Sequence, residues 1–319
     1  MEAAQAMGEI MDGRAEPSQV AGLLMALALK GERPAEIVGF ASAMRERALP
    51  LPKPLGVVFD TCGTGGDAAQ TFNVSTAAAL VIAGAGVRVA KHGNRAASSR
   101  CGSADVLEAL GVGLDVTPDR TVRAVEEANL GFFFAQAWHP SMRHAAPIRK
   151  SLGVRTAFNL LGPLTNPARP ARQIVGVSRP EHTDLLACAL GRLGSERAWV
   201  VHGASGLDEL STTGHTKISE WREGSVKTFY LHPADVGLRT AALADLRGGS
   251  AGDNAAIIER LLAGETGPRR DITILNAGAA LLVAGAAATL RDGLALAADT
   301  IDRGSARQVL ETLRQVCPR

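Results

Sequence analysis

Cysteine is scarce in this 319-residue chain: four residues, Cys62, Cys101, Cys188 and Cys317. None stands in a CxxC pair or at Cys/His spacing. That excludes a structural zinc site and a disulfide framework, and points to reduced thiols in a cytoplasmic protein. Aromatic residues are also few, at 4%, with alanine and glycine in their place. Such a core depends on close backbone approach, as helix-on-sheet folds do. Charge of one sign is missing: 34 Lys and Arg against 32 Asp and Glu leave a net +2, too little to argue for a nucleic-acid partner. Long apolar runs are missing as well. The most apolar stretch, 272–290, is interrupted by Asn276, Gly278 and Gly285, and reads as a buried strand end followed by a helix, not a membrane span. The start, Met1-Glu2-Ala3-Ala4, lacks a basic segment leading into an apolar one, so no signal peptide is expected. Neither GxGxxG nor GxxxxGK(S/T) occurs where a dinucleotide or P-loop fold would need it.

What is present is an ordinary globular balance, 46% apolar and 21% charged, long enough for a large domain plus a small one. The first fifty residues read as helical. Val20, Leu23, Leu24, Leu27 and Ala28 line one helix face, and Ile37, Phe40, Ala41 and Met44 repeat the pattern. Leu49-Pro50-Leu51-Pro52-Lys53-Pro54-Leu55 then reads as a linker, because proline cannot continue a helix. We expect a helical domain over 1–53 and an α/β domain over 54–319 with a mainly parallel sheet. A helical segment near 139–155 is expected to return to the first domain. Strands are expected at 57–60, 87–90, 131–134, 174–177, 198–201 and 272–275, with a hairpin at 217–221 and 226–230. Helices are expected at 75–85, 104–110, 119–129, 181–193, 254–263, 277–290 and 305–316.

Three polar clusters follow strand patterns. Gly63-Thr64-Gly65-Gly66-Asp67 is small enough to let an anion approach the backbone, and Asn73-Val74-Ser75-Thr76 then opens a helix whose free N–H groups suit phosphate. Lys91-His92-Gly93-Asn94 adds a point charge and an amide. Gly206-Leu207-Asp208-Glu209 adds two adjacent carboxylates of the kind Mg²⁺ prefers. Arg143, Arg149 and Arg155 surround the helical segment and could grip a carboxylate. Taken one at a time, these are equally a tight surface turn, a helix cap, a solvated lysine, an acidic turn and surface arginines.

Together and in order, GTGGD, TFNVSTAAA, AKHGNRAASS, GSADVLEALGV, APIRKSLGVRTAFNLLGPLTNPA, GLDELS and RRDITILNAGAALLVAG resemble the anthranilate phosphoribosyltransferases of tryptophan biosynthesis. The pyrimidine nucleoside phosphorylases differ in the AKHGN block, and a nucleic-acid-binding branch of the family lacks convincing transferase sites. The resemblance implies transfer of the phosphoribosyl group of 5-phosphoribosyl 1-diphosphate to the amino nitrogen of anthranilate, releasing pyrophosphate, by a homodimer joined through its helical domain. It implies that Gly63, Gly66, Asp67, Thr71, Asn73, Ser75 and Thr76 hold the diphosphate and its metal. Lys91, Gly93, Asn94, Arg95, Ala96, Ala97, Ser98, Ser99 and Ser103 would hold the rest of the donor. Gly63, His92, Asn94 and Arg149 would meet anthranilate, Arg149 through its carboxylate. Ser75, Asp208 and Glu209 would bind Mg²⁺, directly or through water. Two positions depart from the family pattern: Ala68 where relatives carry glycine, and Cys62 where an aliphatic residue is expected. Lys91 and the metal would offset the charge of the leaving group, with no essential histidine base.

Overall fold

The chain opens with helices α1 (Glu2–Met11), α2 (Pro17–Lys30) and α3 (Pro34–Glu46) in a computed structural model that describes residues 2–67, 69–96 and 100–319. Pro17 and Pro34 each occupy a first helical turn, where the missing N–H would have had no partner. The side chains of Gln19 and Glu36 reach back to accept the N–H groups of Glu16 and Arg33 at 3.0 and 2.9 Å. Val20, Leu24, Leu27, Ile37, Phe40, Ala41 and Met44 are buried between the helices.

Beyond the proline linker come β1 (Phe59–Gly63), α4 (Val74–Gly84), β2 (Val89–Gly93), α5 (Ser103–Ala109), α6 (Pro118–Ala128) and β3 (Leu130–Phe134). Short helices α7 (Ala135–Trp138), α8 (Ala146–Leu152) and α9 (Phe158–Leu161) follow, with a 3-10 turn at Pro140–His144. That turn packs on α1, and α8 packs on α2. The chain returns through β4 (Arg172–Gly176), α10 (His182–Arg192), β5 (Arg197–Gly203) and the hairpin β6 (Thr216–Arg222) and β7 (Ser225–Leu231). It ends in helices α11 (Ala251–Leu262), α12 (Pro268–Ala284), α13 (Leu290–Asp302) and α14 (Ser305–Val316). Among these residues no helix is long and apolar enough to cross a membrane.

Among the described residues the strands form one sheet in the order β3-β2-β1-β4-β5-β6-β7, parallel from β3 to β5 and antiparallel in the hairpin. Strand order reverses between β1 and β4. In open α/β sheets such a reversal opens a crevice at the carboxyl ends of the strands, and the three polar clusters follow β1, β2 and β5. Helices cover both faces. Packing of α4, α12 and α14 fills one core, while α10 shares the other with the opening helices through Phe40, Ile37, Leu186 and Leu190. Arg45 of α3 fastens that second layer by donating to the carbonyls of Leu164 (2.6 Å) and Leu193 (3.2 Å).

The structure differs from expectation at 272–275, which lies inside α12. The residues from Ile272 to Leu281 are all buried, because α12 is packed among β4, β5, α4 and α13. A helix covered on every side shows no polar stripe, so a short piece of it is indistinguishable from a buried strand. The helix expected at 277–290 accordingly begins at Pro268 and stops at Gly285, whose φ of 81° ends it. Helix α13 was not expected. Its signal is a cap in which Asp292 N–H donates to Thr289 Oγ1 at 3.2 Å and Thr289 N–H donates to Asp292 at 3.1 Å. Strands β1 and β2 run further than their apolar residues suggest, because Asp60, Thr61, Lys91 and His92 are polar residues buried within them.

Asn276, which breaks the apolar run, has a specific task. It is 4% exposed, accepts the N–H of Leu210 at 2.9 Å, and donates to the carbonyls of Leu210 (2.8 Å) and Ile272 (2.9 Å). It thereby pins the backbone directly after Glu209. Replacing it with leucine strands a buried N–H and a buried carbonyl. Asn276→Leu is expected to lower stability by roughly 2–4 kcal/mol in urea unfolding; an unchanged midpoint would show that the loop finds other partners.

Candidate active site

The first loop leaves β1 through Gly63. Gly65 and Gly66 take φ values of 66° and 76°, a left-handed conformation that glycine adopts without strain. Crowding supplies a second reason for glycine. A Cβ on Gly63 would run into the Asp208 carboxylate, and one on Gly176 into the Asp208 backbone carbonyl. Asp208 is seated in the space these two leave, and its Oδ2 accepts the N–H of Gly65 at 2.8 Å. Asp67 Oδ1 accepts the N–H of Ala69 at 3.3 Å. Glu209 Oε1 accepts the N–H of Ser75 at 3.1 Å, at the N-terminus of α4.

Three carboxyl groups are thus gathered where little water can reach them. Burial is the main force raising the pKa of Asp208, to about 6, with the charge of Asp67 adding to it. Burial likewise raises Glu209 to about 8, helped by Asp208 and opposed by Lys91. Asp67 also moves upward, chiefly by burial. A divalent cation would relieve this repulsion. Among the described residues no group of three or more His, Cys, Asp or Glu side chains is arranged to enclose a metal. That is compatible with Mg²⁺, which takes one or two carboxylates and completes its shell with water and substrate phosphates.

Lys91, on β2, does not extend into solvent. It is 2% exposed, and its Nζ donates to the Thr61 carbonyl at 2.6 Å and to Ser75 Oγ at 3.4 Å. Beneath it lies Asp60, which is fully buried. Asp60 accepts from the His92 N–H (3.1 Å) and from Asn166 Nδ2 (2.8 Å), and the same Asn166 nitrogen donates to the Ala90 carbonyl at 2.7 Å. Burial raises the Asp60 pKa to about 6 against the pull of Lys91. Cys62, the second departure noted above, is a buried residue whose thiol donates to Asp60 Oδ2 at 3.6 Å.

His92 is buried beside His139, with ring centroids 5.3 Å apart, and its Nδ1 lies 3.0 Å from the Gly162 carbonyl. Burial holds His92 down at about 3 and His139 at about 4, so both rings are neutral near pH 7. A Cβ at Gly93 would strike Ser103 Oγ, which donates to the Asn94 carbonyl at 3.3 Å. Asn94 Oδ1 accepts from the Arg95 N–H (2.8 Å) and from Gln136 Nε2 (3.2 Å). The Arg95 guanidinium is occupied by Glu108 and Asp105 of α5, and Asp105 also accepts the N–H of Ala96 at 2.9 Å. Asn73 is interlocked: its Nδ2 donates to the Cys101 carbonyl (3.2 Å) and its Oδ1 accepts from Asn254 Nδ2 (2.8 Å). Thr76 is buried with no partner for its hydroxyl among the described residues, and Thr71 forms an isolated bridge with Arg247. Ala68, Ala97, Ser98 and Ser99 lie outside the described residues.

Arg149, on α8, is half-buried with its guanidinium 5.0 Å from the centre of the Phe158 ring. It makes no ion pair among the described residues, and burial lowers its pKa. The structure therefore brings Asp67, Ser75, Lys91, Asp208 and Glu209 together, and links Gly93, Asn94 and Ser103. It shows no hydrogen bond from Arg149 to either group. Sequence reasoning missed Asp60, Asn166, Gly176, Asn254 and Asn276. Only the first has a sequence signal, an acid inside an apolar strand; the others act at long range.

The histidine pair makes stability depend on acid. Both folded-state values lie below the ordinary 6.5, so the unfolded chain takes up protons first. Their contribution is complete above pH 6.5 and is lost as the pH falls from there to about 4 for His139 and about 3 for His92. His139→Gln is expected to flatten the wild-type fall in melting temperature over that interval; parallel wild-type and variant curves would count against the assignment.

Residues 1–48 match the helical bundle domain of the glycosyl transferase family and residues 55–307 match its α/β domain. The anthranilate phosphoribosyltransferase of Moorella thermoacetica is 56% identical, covering 98% of this chain and 92% of its own length. The crystal structure of the Thermus thermophilus enzyme of that name superimposes with a TM-score of 0.93 at 49% identity, over 99% of this chain and 94% of that one. The Saccharomyces cerevisiae enzyme, in complex with PRPP and Mg, matches with a TM-score of 0.90 at 29% identity over 98% and 92%. The two polar loops, the paired acids and the helical layer thus occur in a chain that belongs to the glycosyl transferase family with a helical bundle and an α/β domain, among its anthranilate phosphoribosyltransferases.

Proposed function

We propose that the cleft at the carboxyl ends of β1, β2 and β5 divides the transfer of a phosphoribosyl group to anthranilate among the residues above. The observation that carries this reading is the gathering of Asp67, Asp208 and Glu209 against the N-terminus of α4, while Arg149 stays half-buried without an acidic partner. The first arrangement suits a divalent cation; the second suits an anion.

Gly63, Gly66, Asp67, Thr71, Asn73, Ser75 and Thr76 take the diphosphate of 5-phosphoribosyl 1-diphosphate, largely through backbone N–H groups. The turn from Lys91 through Gly93, Asn94, Arg95 and Ala96, continuing over Ala97, Ser98 and Ser99 to Ser103, takes the remainder of the donor. In this division Arg95 and Asn73 act through their backbone, since their side chains are occupied. Asp208, Glu209 and Ser75 hold Mg²⁺, which when bound supplies positive charge against the departing diphosphate. Lys91 lies beside Glu209 and Ser75 and favours the ionised form of Glu209.

Anthranilate lies with its carboxylate on the Arg149 fork, and with Gly63, His92 and Asn94 around its ring and amine. As the bond from ribose C1 to the diphosphate oxygen breaks, the amine nitrogen forms the new bond to C1 and then loses a proton. An aromatic amine is neutral at pH 7, and His92 with a pKa near 3 is too weak a base to be required. Positioning and electrostatics account for the rate. The helical residues 1–53, with the segment 139–155, form one body and 54–319 the other. Exposed Leu29 on α2 and Val154 after α8 support a homodimer joined through the helical part, working in the cytoplasm.

Mixing the protein with anthranilate, 5-phosphoribosyl 1-diphosphate and Mg²⁺ should extinguish anthranilate fluorescence; persistence of the signal would refute the activity. Arg149→Ala is expected to raise the KM for anthranilate about 10- to 100-fold with the donor KM little changed, and an unaltered anthranilate KM would remove Arg149 from that role. Replacing Asp208 with Asn and Glu209 with Gln should shift half-maximal activity to higher Mg²⁺, after chelator treatment has abolished it; superimposable Mg²⁺ titrations would exclude both residues as ligands.

A further inference from the structure

Arg155 has no place in the division of roles just proposed, yet it reaches the donor loop. Its Nη1 donates to the Gly65 carbonyl at 2.9 Å across ninety positions of sequence. The Gly65 N–H is bound by Asp208 at 2.8 Å. One residue of the loop is therefore gripped at both ends, its N–H by a carboxylate and its carbonyl by a guanidinium. Gly66 is cut to fit the same side chain, since a Cβ there would strike Arg155 Nη1.

The backbone of Arg155 is itself anchored. Before it, Gly153 takes a φ of 65° and donates its N–H to the Arg149 carbonyl at 3.3 Å, closing α8. After it, the Thr156 N–H donates to Asn159 Oδ1 at 2.9 Å. The arm is short, stiff, and tied to the helix that carries Arg149. Its second nitrogen, Nη2, is buried with no partner among the described residues, so that end of the guanidinium is not turned toward solvent as a surface arginine would be.

The geometry points to Arg155 as a positioning residue that clamps the Gly65–Gly66 loop in its donor-binding shape and anchors it to the segment bearing Arg149. Two successive glycines with positive φ are the freest backbone in the site, and without an external hold the donor would have to order them on binding. A guanidinium suits the task because a charged donor makes a stronger bond to a carbonyl than a neutral one. The assignment rests on the donor binding at this loop.

The test is Arg155→Met, which keeps an unbranched apolar stem and removes every donor, beside Arg155→Lys and wild type in the full-length enzyme. Arg155→Met is expected to raise the KM for 5-phosphoribosyl 1-diphosphate about tenfold, leaving the anthranilate KM within about twofold and the melting temperature little changed. Arg155→Lys should fall between, because it keeps the charge without the fork. An unchanged donor KM in folded Arg155→Met overturns the clamp, as does an equal rise in both KM values that lysine does not relieve. If Arg155→Met fails to fold, Arg155→Lys decides: a raised donor KM alone supports the clamp, and wild-type values for both substrates overturn it. Wild type that leaves anthranilate unconsumed would instead refute the activity itself.

Discussion

A single ammonium held out of water organises this site. Lys91 lies between the Thr61 carbonyl and Ser75 Oγ, at 2% exposure, and its charge opposes the rise in pKa of both Asp60 and Glu209. Each neighbour is itself attached to something else. Asp60 holds the second loop through the His92 N–H and is held by Asn166; Glu209 rests on the N-terminus of α4 through the Ser75 N–H. Buried charge is tolerated only when paired and hydrogen-bonded. The ends of β1, β2 and β5 are therefore tied together by the requirement that none of these groups be left alone.

The chain's shortage of aromatics and wealth of small residues become intelligible against this arrangement. Asp208 reaches its place because Gly63 and Gly176 have no side chain to obstruct it. Ser103 reaches Asn94 because Gly93 has none. The same economy lets α12, hydrophobic on all sides, lie against the sheet and α4, from where Asn276 fixes the backbone after Glu209. Core packing and site geometry are in this respect one problem: a loop bearing two raised carboxylates keeps its shape because a buried helix holds it.

The helical layer contributes more than bulk. The 3-10 turn Pro140–His144 and α8 pack on α1 and α2, and the opening helices share a core with α10. Arg149 and Arg155 thus belong to a segment that packs on the first fifty residues, and Arg155 links it to the loop after β1. His92 and His139 lie buried and neutral against each other, one on β2 and one in the returning segment.

Much of this was legible in the residues. The strand–helix alternation, the proline linker, the hairpin and the clusters at strand ends follow from periodicity and from local chemistry, which act over a few residues. The order of motifs was enough to identify the family. What the residues could not show were relationships between positions far apart. The run at 272–275 reads as a strand until the sheet and helices α4 and α13 are seen to enclose it. Arg95 reads as a donor ligand until α5 supplies Glu108, and Lys91 as an outward charge until Thr61 and Ser75 are found around it. Sequence by itself determined which chemical groups were available and which short elements carry them. Tertiary structure alone decided which of those groups lose their water and which acquire partners, because desolvation and pairing depend on neighbours brought in from elsewhere in the chain.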